Sequence, residues 1–127
     1  NGKEIAFSSF VGKLVYIDVW ATWCGPCKTE IPLLKKLEEK YKNDKIVFVS
    51  VSIDEDKEAW ERMVKNDKLQ GVQVWAVSWK NDLCRDFNIS GIPRFILIDA
   101  QGLIIDPDAE RPSGKIDARI ADLLKKI

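Results

Sequence analysis

Histidine is absent from all 127 residues, which removes Ser/His/Asp and Cys/His catalysis, imidazole metal ligation and the usual neutral-pH proton shuttle. An excess of one charge is missing as well. Twenty basic side chains balance twenty acidic ones, so the composition implies no nucleic-acid partner and no anionic membrane surface. No stretch approaches the roughly 20 apolar residues of a membrane-spanning helix, and no basic segment followed by an apolar one marks a signal peptide. Cysteine is scarce. Its three copies, one C-x-x-C pair plus Cys84, are too few for a disulfide scaffold, and without a second C-x-x-C or a histidine they do not make the usual four-ligand zinc site.

What remains is chemistry by thiols and carboxylates. At this length the chain fits one domain, residues 1–127, and can bury a core without staples. The most informative stretch is Trp23-Cys24-Gly25-Pro26-Cys27-Lys28, where the apolar run Leu14 to Trp20 gives way to helical periodicity. A helix N-terminus leaves amide N–H groups unpaired and carries the positive end of the peptide dipoles, so a cysteine there ionises easily. Its pKa can fall from roughly 8.5 to about 3.5–7.5, which makes it a nucleophile at neutral pH. Cys27, one turn deeper, can then attack a mixed disulfide formed by Cys24. Pro26 lacks an N–H and presets a helical φ, which suits a first turn.

Along the chain, Ile5 to Phe7 reads as a short edge strand and Leu14 to Trp20 as a strand covered on both faces. A helix is predicted from Cys24 to about Lys42, with Ile31, Leu34, Leu37 or Glu38, and Tyr41 inward and a kink at Pro32. Ile46 to Ile53 is a second buried strand, ending in Asp54-Glu55-Asp56. Lys57 to Asn66 reads as a helix with Trp60, Met63 and Val64 on one face, followed by a strand from Val72 to Val77. A short helix, about Lys80 to Phe87, precedes Gly91-Ile92-Pro93, and Arg94 to Ile98 with Leu103 to Ile105 form a hairpin around Asp99-Ala100-Gln101-Gly102. Ser113 is placed to cap a last helix with Ile116, Ile120, Leu123, Leu124 and Ile127 on its core side. The order βαβαβαββα describes one mixed sheet with helices on both faces.

Together, Val15 to Lys28, Pro32 and the later Gly91-Ile92-Pro93 resemble the thioredoxin superfamily over nearly the whole chain. The resemblance implies an α/β thioredoxin-like fold. The segment Glu55 to Val77 adds a helix and a strand to the shorter thioredoxin pattern, and this insertion is similar to that of TlpA-like and ResA-like thiol-disulfide oxidoreductases, grouped with AhpC/TSA-type domains. The opening Asn1 to Ile5 and Phe10-Val11-Gly12-Lys13 match the same group. Such proteins work outside the cytoplasmic membrane, so the resemblance implies the bacterial periplasm or cell envelope. A chain that opens at Asn1 rather than methionine leaves room for a removed signal or anchor, or for a longer exported precursor of which this is the C-terminal domain.

By the same resemblance, Cys24 is the exposed attacking thiolate and Cys27 the resolving thiol, the two forming a redox-active disulfide. Asp18, six residues before Cys24 on an otherwise apolar strand, would be costly to bury charged and should have a raised pKa. The resemblance makes it the acid that exchanges a proton with Cys27, and the bland alternative is a solvated strand position. Thioredoxins pair this acid with a lysine on the next strand, where the closest register here gives Ser50. Pro93 is expected to be cis, presenting the Ile92 backbone to a substrate segment as an added strand. Arg94 steadies a thiolate, selects acidic substrates or is simply solvated. Trp23 forms an apolar platform, and Trp20 packs inside. Trp75 and Trp79 read as core or support, and Cys84 as a buried apolar residue rather than a resolving cysteine.

The expected activity is reduction of protein disulfides by a Cys24/Cys27 dithiol, since Gly25-Pro26 resembles the reducing members, with thioredoxin near about −270 mV. It needs no cofactor and no metal, takes disulfide-containing proteins as substrates, draws electrons from an upstream thiol donor, and is expected of a monomer. The alternatives are a copper(I)-binding and delivery module on the same fold, or an oxidant or isomerase.

Overall fold

The computed structural model describes residues 7–76 and 88–127. A mixed sheet of five strands runs in the order β3-β2-β1-β4-β5, with β1 Leu14–Trp20, β2 Ile46–Ser52, β3 Val72–Trp75, β4 Arg94–Ile98 and β5 Ile104–Asp106. β1 lies parallel to β2 and antiparallel to β4, and the inserted β3 extends the sheet parallel to β2. Every residue of β1 is buried, as its near-continuous apolar run requires of a strand covered on both sides.

The alternation of β1 separates two layers. Val15, Ile17 and Val19 join Val49, Val51, Ile96 and Ile98 against helix α2, Lys57–Asn66, which contributes Trp60, Met63 and Val64. Leu14 and Tyr16 join Phe48, Phe95 and Leu97 against α1, Gly25–Lys40, and α3, Ile116–Leu124. Tyr16 stacks on Phe95 at 5.4 Å, meets Phe48 edge-on at 6.0 Å, and donates its hydroxyl to the Glu110 carbonyl at 2.7 Å. Asp18 belongs to the same side of β1 as Tyr16, so it faces α1 from beneath.

Several expected boundaries move for local reasons. Phe7 belongs to a 3-10 turn, Phe7–Phe10, rather than to an edge strand. α1 begins at Gly25 because Cys24 is extended and caps it, and it closes at Lys40 with Tyr41 as the C-cap. Pro32 sits inside α1 and gives no amide hydrogen to the Lys28 carbonyl. β5 starts at Ile104 rather than Leu103, because the Asp99 carboxylate takes the Leu103 amide at 2.8 Å to close the hairpin turn. Ser113 does not cap α3: its amide and hydroxyl both donate to the Glu30 carboxylate, at 2.9 and 2.8 Å, and α3 starts after Lys115 with no side-chain cap. Ile127, expected on the core side, is 43% exposed beyond the end of α3. The expected helix over 80–87, the end of the third strand at Val77, and Trp79 and Cys84 lie outside the described residues, as do Ile5 and Ala6 of the proposed edge strand.

Candidate active site

The turn between β1 and α1 is built by hydrogen bonds from a neighbouring strand end. Asp54, just past β2 and fully buried, accepts the Thr22 amide at 3.1 Å, the Thr22 hydroxyl at 2.7 Å and the Ser52 hydroxyl. Trp75 of β3 donates its indole N–H to the Asp54 carbonyl at 2.6 Å, so Trp75 supports this turn from below. The second acid of the run, Glu55, is exposed, while Asp56 caps α2 by accepting the amides of Glu58 and Ala59.

On that turn, Cys24 and Cys27 are joined as a disulfide with their Cα atoms 5.3 Å apart. The Cys24 sulfur also accepts the Cys27 amide at 3.2 Å, so one of the unpaired N–H groups of the first turn points at it. Trp23 is 60% exposed beside it. Cys24, expected at an exposed position, is only 5% exposed in this disulfide form, with its sulfur bonded to the inner cysteine. Gly25 and Pro26 fill the first turn of α1 on its outer side.

The Ile92-Pro93 peptide bond is cis, as expected. Asp18, Cys27 and Pro93 line one narrow cavity of about 10 Å³ together with Trp20, Glu30, Ile31, Leu34 and Phe95. Asp18 is buried, and the absence of water around it pushes its carboxyl up to about 7, against a smaller opposing effect of the Ser50 hydroxyl that donates to Oδ1 at 2.5 Å. Ser50 pairs with Asp18 across the strands, the register expected, so a hydroxyl stands where thioredoxins place a lysine.

The Arg94 guanidinium donates to the Pro107 carbonyl at 3.0 Å and lies 3.7 Å from Asp108. Trp20 is 3% exposed and packs in the core, as expected. Glu30, which sequence reasoning passed over, is a buried carboxylate in the cavity that holds Asp18 and Cys27. Its signal was its place three residues after Cys27, on the inward side of α1. Glu38, noted only as an alternative to Leu37, proves to be inward together with it. Among the described residues no group of three or more His, Cys, Asp or Glu side chains is arranged to hold a metal ion.

Comparison with known proteins agrees with this geometry. The family model described as Thioredoxin-like matches residues 12–104. Thiol-disulfide oxidoreductase ResA of Bacillus thuringiensis is 29% identical over 127 residues, 100% of this chain and 70% of that protein. ResA of Bacillus subtilis is 31% identical over 106 residues, 83% of this chain and 58% of that protein. Among solved structures, one described as a thiol-disulfide oxidoreductase from Bacteroides vulgatus superposes with a TM-score of 0.86 at 47% identity, covering 98% of this chain and 82% of that one. A thiol-disulfide oxidoreductase from Bacteroides fragilis gives 0.79 at 28% identity, covering 89% and 82%. The chain therefore belongs to the thioredoxin-like family, as a thiol-disulfide oxidoreductase of the ResA and TlpA type.

Proposed function

We propose that the chain reduces protein disulfides, with Cys24 as the attacking thiolate, Cys27 as the resolving thiol and Asp18 as the group that takes the proton from Cys27. The observation that carries this reading is the single cavity shared by Asp18, Cys27 and Pro93 beneath a sulfur that already receives a helix-terminal amide. In the first step the Cys24 thiolate bonds to one sulfur of a substrate disulfide, the substrate S–S bond breaks, and the released thiolate takes a proton from water. Cys27 then gives its proton to the Asp18 carboxylate and attacks the Cys24 sulfur. The second substrate thiolate leaves, and the enzyme is left with the Cys24–Cys27 disulfide. An upstream dithiol donor returns it to the reduced state.

A carboxyl that titrates near 7 suits this role, because a proton acceptor works best when its pKa lies close to the working pH. Exposed Trp23 supplies an apolar platform for the substrate, with Gly25 and Pro26 beside it. The Ile92 backbone ahead of Pro93 supplies an edge on which an extended segment can pair. With its guanidinium turned toward Pro107 and Asp108, Arg94 acts by holding the β4 end of the cleft in place.

Family likeness supports an extracytoplasmic working place, and on this reading the chain acts as a monomer, as one domain or as the C-terminal domain of a longer exported precursor. Among the described residues no helix is long and apolar enough to cross a membrane. The test is insulin-disulfide reduction with trapping. Cys24→Ser should abolish turnover, and Cys27→Ser should accumulate a mixed disulfide on Cys24. Full turnover in Cys24→Ser, or no trapped adduct in Cys27→Ser, would remove the scheme.

A further inference from the structure

Asp18 faces a second cavity on the side away from Cys27, and that cavity holds another buried acid. It measures about 10 Å³ and is bordered by Asp18, Ser50, Gln73, Trp20 and, on α1, Lys35 and Glu38. Strand register explains the arrangement: Asp18 of β1 pairs with Ser50 of β2, which pairs with Gln73 of β3, so three polar side chains form a row across the sheet. Glu38 comes down on the row from the helix above, 8% exposed.

The hydrogen-bond inventory of this space does not close if Glu38 is ionised. Glu38 Oε2 and Gln73 Oε1 are both acceptors, both buried, and both without a partner. A buried acceptor left unpaired costs about 1–3 kcal/mol, more when charged. One proton on Glu38 eases the mismatch, because it turns an unpaired acceptor into a donor in a cavity that also holds the Gln73 acceptor. Among the described residues the one cation lining the cavity, Lys35, gives its ammonium to the Asp67 carbonyl. Of the other titratable groups around Asp18, Cys27 and Glu30 face its opposite side, the Glu30 carboxylate already holding Ser113, and Tyr16 keeps its proton in its bond to Glu110.

We propose that Glu38 is a positioning residue for the disulfide exchange: it shares the charge of a buried acid pair with Asp18 and thereby sets the pH at which Asp18 takes up and releases its proton. This rests on the reading of Asp18 given above. Burial pushes the Glu38 carboxyl up to about 7, with the Asp18 charge raising it further and Lys35 opposing, so the two acids titrate in the same range. In such a pair the loss of one proton hinders the loss of the other, and the steps belong to the pair.

The experiment follows both side-chain carboxyl carbons by NMR against pH in the intact chain, in the wild type, Glu38→Gln and Asp18→Asn, beside the pH profile of insulin-disulfide reduction. In the wild type both carboxyls should titrate near neutrality, each curve inflecting with the other. Glu38→Gln should lower the Asp18 midpoint by about 1 pH unit, the size at which coupled steps separate. Asp18→Asn should lower the Glu38 midpoint by the same amount, since coupling is reciprocal. The reduction profile of Glu38→Gln should move to lower pH, whereas a merely structural loss would lower the rate at every pH without moving the midpoint. A wild-type Glu38 that titrates alone near the ordinary value of about 4.3 overturns the proposal, even if Glu38→Gln fails to fold. An Asp18 midpoint indifferent to Glu38→Gln overturns it too. If Asp18→Asn leaves the reduction profile unchanged while the carboxyls remain coupled, the catalytic reading of Asp18 falls and the acid pair stands.

Discussion

Thr22 gives both its amide and its hydroxyl to the carboxylate of Asp54, at 3.1 and 2.7 Å, and so ties the turn that carries Trp23 and Cys24 to the end of β2. Asp54→Ala removes the acceptor for three donors at once, counting the Ser52 hydroxyl. At about 1 kcal/mol for each of the two part-buried Thr22 donors and somewhat more for buried Ser52, it should lower stability by about 3 kcal/mol in urea denaturation. It should also slow insulin reduction at pH 7 even where the protein remains folded. Asp54→Asn keeps one carbonyl oxygen for Thr22 and should cost less on both measures.

Asp18 makes stability fall as pH rises. Its carboxyl is shifted from 3.8 in the unfolded chain to about 7 in the fold, with burial as the main cause. Below the lower value both states are protonated and the burial costs nothing in charge. Between the two values the unfolded chain ionises while the fold keeps its proton, so stability declines across that window by on the order of 4 kcal/mol. Asp18→Asn retains an acceptor for Ser50 and removes the titration. Its advantage over the wild type should therefore grow from about pH 4 to about pH 7, as read by the urea midpoint. A gap that stays constant over that range would contradict the assignment.

Gly71 adopts φ +74°, and a Cβ there would stand 2.6 Å from Glu38 Oε2 and 2.7 Å from the Phe48 carbonyl. The first contact can relax, since it is with a side chain, but the second is with the backbone of β2. Gly71→Ala should destabilise by at least about 2 kcal/mol, combining the left-handed conformation with the clash. Denaturation at a single pH is enough to measure it.

Glu30 couples α1 to the segment before α3 through Ser113. A double-mutant cycle of Glu30→Ala and Ser113→Ala should give a favourable interaction of about 1–3 kcal/mol, as expected for a hydrogen bond to a charged acceptor. An interaction energy near zero would mean that the contact contributes only geometry.

Much of this architecture was legible because it depends on patterns that survive in one dimension. The apolar run of β1, interrupted only by Asp18, marked a strand covered twice, and the spacing of Trp60, Met63 and Val64 placed α2. The cysteine pair announced its own turn, and the Asp18 to Ser50 register followed from two strands of similar length. The acids were harder. Glu30 looks like an ordinary polar position of a surface helix and Glu38 read only as an alternative to Leu37 on the inner stripe, and the three-dimensional packing shows that α1 turns both toward the sheet. Ser113 was misassigned for a related reason: a serine ahead of a helix resembles a cap, and its true acceptor lies 83 residues earlier in the chain. The role of Asp54 was equally hidden, since an acid at a strand end is usually solvated.

The amide of Cys27 already points at the sulfur of Cys24 while the disulfide is closed. When that bond opens, the thiolate that appears on Cys24 finds its hydrogen-bond donor waiting on the rigid first turn of α1, and no loop has to be rebuilt around it. Interconversion of the two redox forms then carries little reorganisation energy at this end of the pair. The slow step should accordingly be the encounter with a partner disulfide or the movement of a proton, rather than a rearrangement of the backbone.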